Sequence, residues 1–171
     1  MRFLVLTQYY PPEVGAPQVR LAAMVGELVR DGHQVQVVTA LPNHPEGRIH
    51  EAYRRRFSAR EQLGGADVRR VWIYAAQGAG ARRVLSYLSF CVTSMTALVR
   101  CQRPDVLFVE SPPPFLGLPA VVMSLWWRRP IVFNVADLWP DSAVEMGFLK
   151  PGTHWRLGQQ AGGAAHRAKD G

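Results

Sequence analysis

The hydrophobic positions of this chain fall into short runs separated by turn residues. Arg2 to Thr7 is a continuous, largely apolar run, and it reads as a buried strand. A loop dense in Pro and Gly follows, from Gln8 to Ala16, and Pro17 stands where the first turn of a helix accepts it. That helix is predicted to run to about Arg30, with Leu21, Met24, Val25 and Leu28 at helical spacing. Arg30 suits its C-terminus, and Gly32 is placed to stop it in a left-handed turn. Gln34 to Thr39 reads as a second strand. Strand, helix and strand on short links predict a right-handed βαβ crossover and a parallel sheet.

Beyond Thr39 the alternation continues with more interruption. Leu41 to Gly47 is a second Pro-rich loop, and Arg48 to Leu63 is basic and only weakly periodic. Asp67 to Tyr74 predicts a third strand. Arg82 to Arg100 is the clearest helix, because Leu85, Leu88, Val92, Met95 and Val99 recur at steps of three and four. Asp105 to Glu110 predicts a fourth strand, Phe115 to Trp127 an apolar helix with Pro119 near its first turn, and Pro130 to Val135 a fifth strand. Asp141 to Leu149 suits a short helix. No internal repeat is visible. From Pro151 the pattern fails, so residues 1–152 read as one domain and 153–171 as a tail or linker stump. Five strands alternating with helices predict a doubly wound, Rossmann-like α/β domain with a parallel sheet ordered 3-2-1-4-5.

Composition agrees with one domain. The chain has 171 residues, 48% of them hydrophobic and 19% charged, a balance that supports a core and opposes disorder. Met1 to Leu6 is too short for a signal peptide, and no segment reaches the ~18 uninterrupted apolar residues of a membrane span. A cytoplasmic protein is expected. Cys91 and Cys101 match no metal motif and read as reduced packing residues. The net charge is +7 and the pI about 10.1, much of it in arginine clusters such as Arg54-Arg55-Arg56 and Arg128-Arg129. Such a surface attracts anionic lipid or phosphorylated substrates, or is simply a solvated basic face. No nucleic-acid-binding motif accompanies it, and no such partner is expected.

In a doubly wound sheet, ligands bind beyond the C-terminal strand ends at the switch point, so the loops there should carry the chemistry. The first holds Gly15 just before a helix N-terminus, where a phosphate can approach backbone N–H groups; the same glycine also reads as a turn residue. Neither Gly-x-Gly-x-x-Gly nor Gly-x-x-x-x-Gly-Lys-Ser/Thr is present, which opposes a dinucleotide site and a P-loop NTPase. The fourth strand ends in Glu110-Ser111-Pro112-Pro113-Pro114, where Glu110 can orient a sugar hydroxyl or act as a base, or simply be a solvated carboxylate. After the fifth strand come Asp137, a candidate general base or hydroxyl binder, and Trp139, which can pack on a sugar face or under its own loop. Asp141 reads as a helix cap. Asn43 and His44, in the loop after the second strand, lie on the same rim.

Together these segments resemble one family. Tyr9-Tyr10-Pro11-Pro12-Glu13-Val14-Gly15-Ala16-Pro17, Arg30-Asp31-Gly32-His33-Gln34-Val35 and Pro42-Asn43-His44-Pro45-Glu46-Gly47 look like the start of family 4 retaining glycosyltransferases. Val109-Glu110-Ser111-Pro112-Pro113-Pro114-Phe115-Leu116-Gly117 and Asp137-Leu138-Trp139-Pro140-Asp141-Ser142 resemble the bacterial branch acting on surface polysaccharide and O-antigen, including N-acetylfucosaminyl transferases. The match runs in order from Met1 to about Gly152.

The resemblance implies the N-terminal half of a GT-B fold, two Rossmann-like domains with the active site between them. It implies metal-independent, retaining transfer of a hexosyl or acetamido-hexosyl unit from a nucleotide-diphosphate sugar to a lipid-linked or growing polysaccharide, with no other cofactor. Gly15 and Ala16 would approach the donor diphosphate. Asn43, His44, Ser111 and Trp139 would meet the acceptor, and Glu110 and Asp137 would carry catalysis. Many members have a His at the end of the fourth strand; here that stretch reads Phe108-Val109-Glu110-Ser111, so Glu110 or Asp137 must serve instead. Nothing after Gly152 resembles the donor-binding domain. The expectation is therefore a half-enzyme, with a separately encoded donor domain as its partner or an inactive acceptor-binding role as the alternative. Arg54-Arg55-Arg56-Phe57, Arg82-Arg83 and Trp126-Trp127-Arg128-Arg129 suit peripheral contact with the inner face of the cytoplasmic membrane, although Trp126 and Trp127 also read as core packing at a helix end.

Overall fold

A computed structural model describes residues 1–77, 80–111 and 113–135. The expected helix at Asp141 to Leu149, the domain boundary at 152 and the tail at 153–171 lie outside the described residues. So do Asp137 and Trp139.

The strands form one sheet. In chain order the strands and α-helices are β1 (Arg2–Leu6), α1 (Ala16–Arg30), β2 (Gln34–Ala40), β3 (Ser58–Leu63), β4 (Ala66–Val71), α2 (Ala81–Leu98), β5 (Val106–Ser111), α3 (Gly117–Trp127) and β6 (Ile131–Val135). The sheet order is β3-β4-β2-β1-β5-β6. Every neighbouring pair is parallel except β3 with β4. Without β3, this is the expected 3-2-1-4-5 order, so the doubly wound, Rossmann-like α/β architecture holds.

The strand β3 is a departure from expectation, since Ser58 to Leu63 had no strand pattern of its own. It forms an antiparallel hairpin with β4 through Gly64 and Gly65, both at positive φ (58° and 82°). A two-residue hairpin loop with positive φ at both positions is one that glycine adopts without steric cost. As an edge strand, β3 has little to bury, which is why its sequence is polar on both faces.

Two cores flank the sheet. Val5, Leu21, Val25, Val35, Val37 and Val68 pack between α1 and one face. Leu4, Leu6, Phe90, Leu98, Leu107, Leu116 and Met123 pack between α2, α3 and the other. The change of face between α1 and α2 makes the boundary of β1 and β5 the switch point.

In α2 the apolar stripe at three-and-four spacing does not face the sheet. Leu85, Leu88, Val92 and Val99 are exposed, and Met95 is only partly buried. The buried side is Ser86, Tyr87, Phe90, Cys91, Ser94, Ala97 and Leu98. Serine serves there as a small core residue because its hydroxyl finds a local acceptor: Ser94 Oγ donates to the Cys91 carbonyl at 2.9 Å. Both cysteines are free, and burial pushes each thiol up to about 11. Of the tryptophan pair, Trp127 is core and Trp126 is exposed.

Candidate functional site

The switch point opens into a cleft of about 190 Å³, lined by Thr7, Tyr9, Gly15, Pro17, Gln18, Leu21, His44 and Glu110. The chain ends of β1, β2 and β5 and the start of α1 converge here. Of the residues expected to act, Gly15, His44 and Glu110 are brought together, with Ala16 beside Gly15 as the first residue of α1. Asn43 is buried and lines a smaller hollow next door, together with Glu13, His44 and Arg48. Its amide donates to the Leu41 carbonyl at 2.9 Å, so that group holds the loop. Ser111 is buried at the end of β5 and is not among the residues lining the cleft.

Glu110 is the buried charge of the site. One carboxylate oxygen accepts from the Arg20 guanidinium, and the other accepts from Asn134 Nδ2 at 2.7 Å. Arg20 itself is half in solvent. A cation in the second turn of a helix sits on the unfavourable side of the helix dipole, and Glu110 supplies the compensation. Neither Arg20 nor Asn134 was singled out as a partner of Glu110 from the sequence. The packing of α1 over the sheet brings Arg20 to Glu110, and the parallel β5–β6 register sets Asn134 directly beside it.

α1 begins at Gly15 without a side-chain cap and with no acidic residue in its first turn. Its N-terminal amides are left to other partners, and an anion is the natural one. The Gly15 backbone is extended (φ 177°), so glycine is not there for its dihedral freedom. Space is the reason: a Cβ at this position would run into the Gln18 amide. Gln18 is buried, and its Oε1 has no partner among the described residues.

Glu13, another residue not singled out, ties the two rim loops together. Oε1 accepts from the backbone N–H of Asn43 and of His44, both at 2.8 Å, and Oε2 accepts from the Tyr10 N–H at 3.3 Å. Burial raises its carboxyl above the usual range, against the three backbone bonds and the charge of Arg70, which pull it down. His44 thus stands at the cleft with its backbone pinned and its ring 5.3 Å from that of Tyr9. Arg70 is fully buried, donates to Glu61 at 3.1 Å and to the Pro11 carbonyl, and supports the first loop from beneath. The sequence signal for Glu13 was an acidic residue inside an otherwise apolar Pro-rich loop. Among the described residues no group of three or more His, Cys, Asp or Glu converges to hold a metal ion.

Residues 15–167 match the model of the glycosyl transferase 4-like domain. The chain is also 28% identical over 164 residues to WcaI of Escherichia coli (strain K12), a protein assigned by name to glycosyl transfer in colanic acid biosynthesis. That alignment covers 94% of this chain and 40% of WcaI, so the chain spans less than half the length of this relative. The Rossmann-like sheet, the cleft at its switch point and the family match over most of the chain agree: this chain belongs to the glycosyl transferase 4-like domain family.

Proposed function

We propose that this chain is the acceptor-side half of a glycosyltransferase that moves a sugar from a nucleotide-diphosphate donor to a saccharide acceptor in polysaccharide biosynthesis. The observation that carries this reading is the cleft, which the uncapped start of α1 and the Arg20-paired carboxylate of Glu110 both line. The α1 amides at Gly15 and Ala16 suit the donor diphosphate, because its charge meets unsatisfied N–H groups and the positive end of the helix dipole. Gln18 must swing aside for a phosphate to reach Gly15, and its unpartnered Oε1 gives it little to lose.

Glu110 suits orientation of an acceptor hydroxyl better than proton abstraction. Each of its oxygens already accepts one charged or amide N–H, so the carboxylate is held in place while a lone pair remains to accept from a sugar hydroxyl. Asp137, two residues beyond β6, is then the general base, and Trp139 offers a face for the sugar ring. His44 and Asn43 belong to the acceptor rim and Ser111 to the strand end that holds Glu110. The finer reading follows the resemblance: a retaining, metal-independent transfer of a hexosyl or acetamido-hexosyl unit, of the kind used for surface polysaccharides including O-antigen, with the donor nucleotide held mainly by a second domain.

The test is calorimetric titration of the purified chain with UDP, UDP-sugars and GDP-sugars, beside a transfer assay with and without a donor-binding domain of the same family. Little heat from the nucleotide alone, and transfer only when the second domain is supplied, is the expected result. Tight nucleotide binding and turnover by this chain alone would refute the acceptor-side reading.

A further inference from the structure

The edge hairpin carries a charge pattern that the cleft does not use. Along β4, Val68 belongs to the core beside α1 and Val71 to the core beside α2 and α3, so Arg69 shares the α2 side of the sheet with Val71. Arg60 of β3 stands directly opposite Arg69 in the antiparallel register, on the same face. Like charges placed directly opposite in such a pair destabilise it. Arg100, just past the end of α2, brings a third guanidinium to the same place. The three arginines line one hollow of about 200 Å³, together with Ser58, Val71 and Thr96 among others.

Compensation for this charge is incomplete. Asp67 is the one carboxylate that pairs with any of the three among the described residues, and it is already committed. Its Oδ1 accepts from Arg60 Nε at 2.8 Å, and its Oδ2 accepts from Arg60 Nη2 at 3.0 Å and from Gln36 Nε2 at 3.1 Å. Arg69 Nε lies 3.6 Å from Asp67 Oδ2, too far for a hydrogen bond. That nitrogen is sealed from solvent with no acceptor among the described residues, on a side chain only 18% exposed. Arg100 donates to the Thr96 carbonyl at 2.9 Å and has no carboxylate partner among the described residues. Three guanidiniums against one carboxylate leave two positive charges around a concave, partly buried space. A largely buried guanidinium short of acceptors is costly, and a bound anion relieves that cost.

The chemistry of the hollow selects the anion. An excess of two positive charges matches a phosphate group, which is close to a dianion at neutral pH. Guanidiniums arriving from β3, β4 and the end of α2 can each address a separate oxygen of a tetrahedral group, which a planar carboxylate does not offer. No aromatic residue lines the hollow, so nothing there stacks a nucleobase. We propose that this hollow binds a phosphate dianion, free or as a small phosphomonoester, held by Arg60, Arg69 and Arg100. It shares no lining residue with the cleft. The site does not depend on the glycosyl-transfer reading, and its test needs no turnover.

The experiment is calorimetric titration of the purified chain with inorganic phosphate and, separately, with glycerol 3-phosphate, beside sodium chloride at equal ionic strength. Saturable binding of the phosphates is expected, with a melting temperature that climbs with phosphate concentration and not with chloride. Arg69→Gln and Arg100→Gln should each weaken binding roughly tenfold, since each removes charge-assisted hydrogen bonds to the anion. Neither should lower the melting temperature of the ligand-free chain, because Arg69→Gln removes a repulsion and Arg100 is exposed. Tighter binding of glycerol 3-phosphate would identify the ligand as a phosphomonoester, and equal binding would identify it as phosphate itself; either supports the site. Heat no greater than that of chloride would overturn the proposal. Binding undiminished in the Arg69→Gln, Arg100→Gln double variant would do so as well, by assigning the anion elsewhere. Loss of that residual binding in Gly15→Val would then place it at the start of α1.

Discussion

Glu13→Ala isolates the tie between the two rim loops. In the native chain the carboxylate satisfies three backbone N–H groups, two of them at 2.8 Å, in a site with almost no solvent exposure. Removing it orphans all three. An unsatisfied buried donor costs about 1–3 kcal/mol, but the small hollow beside Glu13 can admit water, so the low end applies and the sum is about 2–4 kcal/mol. For a chain of this size each kcal/mol moves the melting temperature by about 2–4 °C, which places the expected fall at roughly 5–15 °C. Glu13→Gln is the discriminating partner. Its amide oxygen keeps the bonds from Asn43 and His44, only the longer Tyr10 bond is lost, and no charge has to be desolvated, so the cost should stay within about 1 kcal/mol. Thermal melting followed by circular dichroism reads both. If Ala and Gln destabilise equally, or if Ala leaves the melting temperature unchanged, the three backbone donors are not what Glu13 is there for.

The pH dependence follows with a fixed sign. Burial raises the Glu13 carboxyl in the folded chain above its unfolded value. The folded state therefore holds this proton more tightly. The group's contribution is full below the unfolded pKa and is lost as pH rises through the folded one. The wild-type advantage over Glu13→Gln should shrink as pH rises out of the carboxylate range. An advantage that grows with pH would show that the hydrogen bonds and Arg70 outweigh burial.

Three further outcomes are expected. Arg20→Ala should cost about 1–2 kcal/mol by chemical denaturation, discounted because Arg20 is half in solvent, and adding Glu110→Gln should recover part of it by removing the orphaned charge; no recovery would mean the pair is not coupled. Gly15→Val should leave stability within about 1 kcal/mol, since the backbone there is extended and the obstacle is the movable Gln18 amide, yet lower kcat/KM for the nucleotide sugar in an enzyme carrying both domains; an unchanged kcat/KM would remove Gly15 from the donor site. Asp137→Asn should depress kcat in that enzyme by about 100-fold or more without shifting the melting temperature, and full activity would end its assignment as the base.

The order of the parallel strands was legible because each strand carries its own apolar run and each crossover its own helix. The edge strand β3 was not, because a strand that buries little shows no alternation; only Gly64-Gly65 announced the hairpin. The α2 helix was legible as a helix, but not in its orientation. Its solvent side carries the leucines and valines, while its sheet side carries Ser86, Cys91, Ser94 and Ala97 around Phe90. Periodicity locates an apolar face and is silent on which neighbour covers it. In the cleft, Gly15, His44 and Glu110 were legible from the rule that ligands gather at strand C-termini. Arg20 and Asn134 were not, since nothing local marks them as partners of Glu110.

Arg70 shows how far the cleft depends on residues outside it. Its guanidinium is buried beneath the first loop, near Glu13 and 5.7 Å from the centre of the Tyr53 ring, and it grips the Pro11 carbonyl. Its only anionic hydrogen-bond partner among the described residues is Glu61 on β3, and its Nη1 has none there. The polar edge hairpin that the apolar pattern could not reveal therefore matters to the cleft, because β3 brings the carboxylate that makes a buried arginine tolerable. That arginine supports Pro11, and Glu13, two residues on, holds Asn43 and His44. A cleft loop rich in proline still needs its direction set. Here it is set from the far edge of the sheet through one continuous chain of charged and hydrogen-bonded groups. Breaking a buried link in such a chain leaves an uncompensated charge or donor, so the loop positions are held more firmly than their surface location suggests.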